Sequence, residues 1–317
     1  MSRHDDARAK RRPRLAVVAF IASMFVLLIT ALIKYANVPD DIPARLSAAR
    51  LPELVPPSSL LYLRVFMLAI NLWAIVLKLQ MIEDKVIFHS PESQLPRRVE
   101  IRLSGFMWCS FFTFQAWALQ TFYLAGALAS SMSAVYGTPD LGARLPVALW
   151  FAFEVSFAVA VLTSFIVKYV LIPRKVQNGA SVAGFFGLPD LLMHNCNTLF
   201  MALELLFADL PVLLSHFPLA ALWGLFYVVF SWGWLARHGV CWYEFLDPSL
   251  PKAIVMHSVV LGVLGVFFAI GAALAAGAAT ISSPYVRIAL VLVGVASVAR
   301  TGLITGIPEP PVGAKKE

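Results

Sequence analysis

Charge is scarce in this chain. Only 14% of its 317 residues are Asp, Glu, Lys or Arg, against about 25% in an average globular domain. So few charges cannot cover a water-facing surface, which excludes a soluble domain with one apolar helix attached. Histidine is sparse as well, with six residues and no HxxH or HxxHH group. That excludes a membrane di-iron desaturase or hydroxylase, whose metals need short histidine clusters. A transmembrane haem needs facing histidine pairs at both membrane sides. Here His194, His238 and His257 fall towards one predicted side and only His216 towards the other. Cysteine occurs three times, at Cys109, Cys196 and Cys241, with no CxxC pair; this gives neither a disulfide framework nor a metal knuckle. There is no N-x-Ser/Thr acceptor and no internal repeat, the usual mark of a transporter. The sequence calls for no cofactor and no metal.

Apolar residues are abundant: 60% of the chain is hydrophobic and the mean hydropathy is +0.79. This composition predicts an all-α membrane protein, a bundle of about eight transmembrane helices. The predicted spans are residues 15–33, 60–79, 103–130, 145–172, 189–207, 219–235, 253–276 and 285–307, each near the ~17–25 residues a bilayer requires. The first is long enough to be a retained helix rather than a signal peptide, and no small-x-small cleavage pattern follows it. Proline-rich residues 34–59 and charged residues 80–102 read as loops. Four regions result: a basic cytoplasmic tail over 1–14, an extra first helix with its loop over 15–59, a six-helix core over 60–276, and an extra last helix with its tail over 277–317. With both termini on the cytoplasmic side, 19 of the 25 basic residues fall inside, as the positive-inside rule demands. The net charge of +7 is thereby accounted for by topology, and no nucleic-acid partner is expected.

Within the fifth span, Pro189–Phe207, His194 and Glu204 stand in apolar sequence. Ionisable groups at such positions are costly and face a protein interior or a wet cavity. Asp190 precedes His194 by four residues, on the same helical face, where it could orient the ring. Glu204 could be a relay group, a substrate contact or the buried partner of an Arg or His. In the third span Thr113 is expected roughly 15 Å above Leu103, at 1.5 Å per residue, a depth compatible with that of His194. A hydroxyl beside an imidazole is what nucleophilic acyl transfer requires. The same residues could instead cross-bond helices, as Thr and His commonly do in membranes. Cys109 lies one turn before Thr113, so a thiol nucleophile is also open. The aromatics of this span, such as Phe106, Trp117, Phe122 and Tyr123, could face lipid, pack, or wall an acyl tunnel.

Three blocks carry a family resemblance: FFTFQAWALQTFYL, HNCNTLFMALELLF, and SHFPLAALWGLFYVVFSWGWLARHGVCWYEFL. They resemble the androgen-induced-gene and androgen-dependent TFPI-regulating protein family, over about residues 60–276. The resemblance implies a membrane threonine hydrolase acting on fatty-acid esters of hydroxy fatty acids, with membrane lipids and an acyl-ester substrate as its partners. It carries the nucleophile to Thr113 and the histidine to His194, ten residues before Glu204, with Gln120 in the third-span motif as polar support. This chain departs from the pattern at Tyr243-Glu244-Phe245, where the family has Tyr-Pro-Phe, and in lacking a Trp-x-Asn-His lead-in to His194. A non-enzymatic branch, the rolling-stone type of multi-span protein, shares similar blocks and implies a scaffold or signalling role instead.

Overall fold

A computed structural model describes residues 14–299, apart from 53–54, 90, 140, 143, 178–181 and 282. The described chain is mostly helical. Its helices are α1 (Leu15–Tyr35), the short α2 (Ile42–Ser47), α3 (Pro57–Gln80), α4 (Phe112–Tyr136), α5 (Arg144–Ile166), α6 (Ile172–Gln177), α7 (Leu188–Leu191), α8 (Asn197–Phe207), α9 (Phe217–His238), α10 (Ala253–Thr280) and α11 (Pro284–Val298). Among the described residues, five helical stretches are long and apolar enough to cross a membrane: Leu15–Tyr35, Pro57–Gln80, Arg144–Gln177, Leu214–His238 and Ala253–Ala278. The expected eighth span, 285–307, runs past the last described residue.

The bundle is built around α5, which packs against α4, α8, α9 and α10. Its sequence is apolar on every face, and a helix of that kind belongs in an interior. Trp150, Phe153 and Ala158 on α5 are fully buried, as are Trp117, Tyr123 and Leu124 on α4. Thus the third-span aromatics divide: Trp117 and Tyr123 are core, while Phe106 and Phe122 point outward at 83% and 48% exposure. The outer helices keep apolar faces turned away from the bundle, as with Val26 and Leu27 on α1 and Val259 and Val266 on α10. Helix α1 lies on α9, and α11 lies on α8.

Close approach of α4 and α5 depends on Gly126. A Cβ there would come within 2.3–2.4 Å of the Leu149 methyls. Leu149 is fully buried and must move to admit it. Gly126→Ala is therefore expected to lower stability by about 1–3 kcal/mol, the usual cost of overpacking, seen as a lower thermal midpoint in detergent. An unchanged midpoint would show that Leu149 relocates freely.

Three segments differ from the sequence expectation. Residues 80–102 are not a plain loop: β1 (Glu83–Phe88) pairs antiparallel with β2 (Arg98–Leu103), Val86 facing Glu100. In RVEIRL charged and apolar side chains alternate with the strand period of two, whereas EDKVIF runs from three charged to three apolar residues. The third helix does not begin at Leu103. Gly105 takes a left-handed φ of 52°, Gly105–Ser110 forms a 3₁₀ turn, and α4 starts only at Phe112. Finally, the fourth and fifth spans each contain a π turn, at Val167–Leu171 and Leu192–Cys196. The first lies immediately before Pro173, whose ring and missing N–H conflict with a regular turn there. The helix consequently runs on through Pro173 to Gln177 instead of stopping.

Candidate active site

The late start of α4 sets the geometry around Thr113. Phe111 is extended (φ −83°, ψ 139°) and caps the helix, so Thr113 occupies the second helical position rather than mid-span. The first backbone N–H groups of a helix have no partner within it. Here the Phe112 and Thr113 N–H groups and the Thr113 side chain lie near enough to the Tyr243 phenol to act on its titration. Burial pushes the Tyr243 phenol up to about 12, and the Thr113 and Phe112 donors pull it partway back. The phenol is therefore protonated at neutral pH and is itself a donor. Phe111 stacks on Trp242 at 4.3 Å between ring centroids, which holds the loop after α9 against the start of α4.

His194 sits inside the second π turn and is buried. Its carbonyl accepts a hydrogen bond from Ser164 Oγ on α5, and that hydroxyl also bonds Thr198 at 2.7 Å. Asp190 lies one turn earlier. Its Oδ2 accepts from Lys78 Nζ at 2.7 Å, while Oδ1 stands 4.0 Å from His194 Nε2. That separation is beyond a hydrogen bond but within reach of the carboxylate's field.

One cavity of about 210 Å³ gathers these groups: Thr113, His194, Asp190 and Tyr243 all line it. A second, smaller cavity of about 70 Å³ abuts it, walled mainly by apolar side chains of α5, α9 and α10. Thr113, Val167, Leu171, Tyr243 and Phe245 belong to both linings. Thr113 thus stands in the partition between a polar chamber and an oily one. Both π turns contribute to the polar chamber, through Val167, Val170 and Leu171 from one and Met193 and His194 from the other. Such turns recur at functional sites because they displace side chains from the regular helical pattern.

Glu204 and Gln120 lie elsewhere. Glu204 is fully buried and takes a two-pronged ion pair from Arg64, Nε and Nη2 each at 2.9 Å. Tyr123 donates to it at 2.6 Å. The remaining guanidinium nitrogen of Arg64 reaches the carbonyls of Leu46 and Ala127 and the Ser131 hydroxyl. This network ties α2, α3, α4 and α8 together and leaves no lone proton-relay group. Gln120 is fully buried, and its amide has no partner among the described residues; it lines neither cavity. Cys109 and Cys196 also stay outside both linings. Cys241 lines the polar chamber, but burial pushes its thiol up, which suppresses the reactive thiolate.

Sequence reasoning left out Tyr243 and the cations of the chamber, Lys78, Lys85, Arg174 and Lys175. The signal for Tyr243 was present in the CWYEFL block. The residue at the point of departure from the resembled pattern also has a role: Glu244 forms an ion pair with Arg174 at the chamber wall. No family model, no curated protein and no solved structure matches the chain.

Proposed function

We propose that the chain is a multi-pass membrane hydrolase of lipid esters, with about eight spans and both termini cytoplasmic. Its substrates are fatty-acid esters of hydroxy fatty acids or similar acyl esters. The observation that carries this reading is the shared cavity: Thr113 and His194 line one chamber, and Thr113 also borders an apolar one suited to an acyl chain. In the proposed reaction the Thr113 Oγ1 attacks the ester carbonyl carbon while its proton passes to the His194 imidazole. The oxyanion that forms lies near the positive end of α4, where helix N–H groups and the protonated Tyr243 favour negative charge. Collapse breaks the acyl–oxygen bond, and the leaving alkoxide takes the proton from His194. Water, deprotonated by the same imidazole, then hydrolyses the acyl-threonine. Asp190, held by Lys78, supports the imidazolium through its charge.

The rival reading is a membrane scaffold in which these residues only bond helices and loops to one another. The closeness of Thr113 to the Tyr243 phenol is what that reading would feature. A fluorophosphonate probe separates the two. Labelling of the wild type, lost in both Thr113→Ala and His194→Ala while both variants remain monodisperse in detergent, supports the hydrolase. A folded wild type that is never labelled removes it.

A further inference from the structure

The polar chamber holds more positive charge than the proposed hydrolysis uses. Lys78 from the end of α3, Lys85 from β1, and Arg174 and Lys175 from α6 all line it. Two carboxylates share that lining, Asp190 and Glu244. Asp190 is engaged by Lys78 and Glu244 by Arg174. A third carboxylate, Glu83, stands 3.7 Å from Lys85 Nζ. Even with Glu83 counted, four cations face three carboxylates, so the chamber favours an added anion.

The lysines also gather over aromatic rings. Lys78 and Lys85 both lie over the Trp108 ring, at 4.0 and 4.9 Å from its centroid. Lys85 additionally sits 5.1 Å from the Phe111 ring, and Lys175 lies over Phe185 at 5.2 Å. Trp108 is buried, its indole nitrogen donating to the Met81 carbonyl, so this aromatic floor is fixed. Burial pushes the Lys85 ammonium down from its ordinary value; Glu83 and Asp190 oppose this, and repulsion by Lys78 and Lys175 adds to it. An anion between these ammonium groups would relieve that repulsion.

The arrangement of donors narrows the anion. A carboxylate is planar and can be satisfied by one arginine fork. Here the donors come from three elements and surround a space of about 210 Å³. That spread suits a tetrahedral group with three or more acceptor oxygens, and a phosphate monoester carries about −1.5 to −2 charges. The oily chamber beyond Thr113 supplies the complementary place for a hydrocarbon chain.

We infer that the basic chamber is a binding site for the phosphate headgroup of an anionic lipid, whose acyl chain enters the adjoining apolar chamber. The inference rests on the amphiphile reading of the paired cavities but not on any bond-breaking step at Thr113. The test is equilibrium binding to the purified full chain in neutral detergent. The probes are dioleoyl phosphatidic acid, dioleoyl phosphatidylcholine, oleate and inorganic phosphate.

Phosphatidic acid is expected to bind about tenfold or more tightly than each of the others. The pair Lys85→Gln with Lys175→Gln is expected to weaken it by a similar factor, and Lys85→Arg with Lys175→Arg to retain most of the affinity. Retention in the arginine pair shows that the loss follows charge and not folding. Equal binding of phosphatidylcholine, or no response to the glutamine pair, overturns the site. Oleate binding as tightly as phosphatidic acid overturns the phosphate assignment. Inorganic phosphate binding as tightly as the lipid overturns the amphiphile. Because the assay involves no turnover, a protein that binds phosphatidic acid yet resists fluorophosphonate labelling would lose the hydrolase reading alone.

Discussion

Glu204→Met is expected to destabilise the bundle by about 3–5 kcal/mol, the scale for removing one partner of a buried ion pair. Arg64 is fully buried, and its guanidinium lies among α2, α3, α4 and α8 with every nitrogen hydrogen-bonded. Removing the carboxylate leaves this cation without charge compensation in an interior that water does not reach. Tyr123 loses its acceptor in the same step. Arg64→Met should cost a comparable amount by stranding the carboxylate. The informative variant is the pair, Arg64→Met with Glu204→Met. With both charges gone the desolvation cost disappears too, so the double variant should be more stable than either single one. Thermal denaturation in one detergent, with all four proteins compared, measures the cycle. Additive losses would mean that the two residues stabilise the fold separately, contrary to their 2.9 Å pairing.

The second large effect concerns rate. If Thr113 and His194 act as one unit, Thr113→Ala and His194→Ala should each lower ester turnover by about 10²–10⁴-fold. The combined variant should be hardly worse than either alone, because removing one member already disables the step that needs both. Two independent helix-bonding residues would instead show multiplying losses. The measurement is kcat/KM on a fatty-acid ester of a hydroxy fatty acid, paired with circular dichroism to confirm that each variant is folded. A double variant whose loss equals the product of the single losses would separate Thr113 from His194 mechanistically.

Much of the helical plan was legible in the sequence, because a span of about 20 apolar residues is a strong local signal. Leu15–Tyr35 and Ala253–Thr280 begin where the apolar runs begin. What escaped was the backbone between and within those runs. In the hairpin at 83–103 only the second strand, RVEIRL, shows a period of two, and the charged residues of both strands resemble a solvated loop. The start of α4 depends on Gly105 adopting positive φ, a choice that composition does not announce. The pairing of Glu204 was half visible: a buried carboxylate demands a cation, and Arg64 stands in the apolar interior of its helix, well away from Lys78 at the end. A count of basic residues by side cannot tell such an interior partner from a membrane-flank anchor. Tyr243 and Lys85 were harder still. Each reaches the cavity from a connecting segment, and its neighbours there are set by tertiary packing rather than by spacing along the chain.

The widened turn at Leu192–Cys196 acts as a swivel between two polar addresses on a single segment. In an unbroken α-helix the ten-residue step from His194 to Glu204 would fix the angle between their side chains. The extra residue changes the phase, so the imidazole meets the polar chamber while the carboxylate meets the Arg64 lock. Removing one residue would turn the preceding stretch by about 100°, carrying the ring away from the chamber with the lock still closed. This stretch therefore cannot be shortened without separating the placement of His194 from the Arg64–Glu204 pairing at the centre.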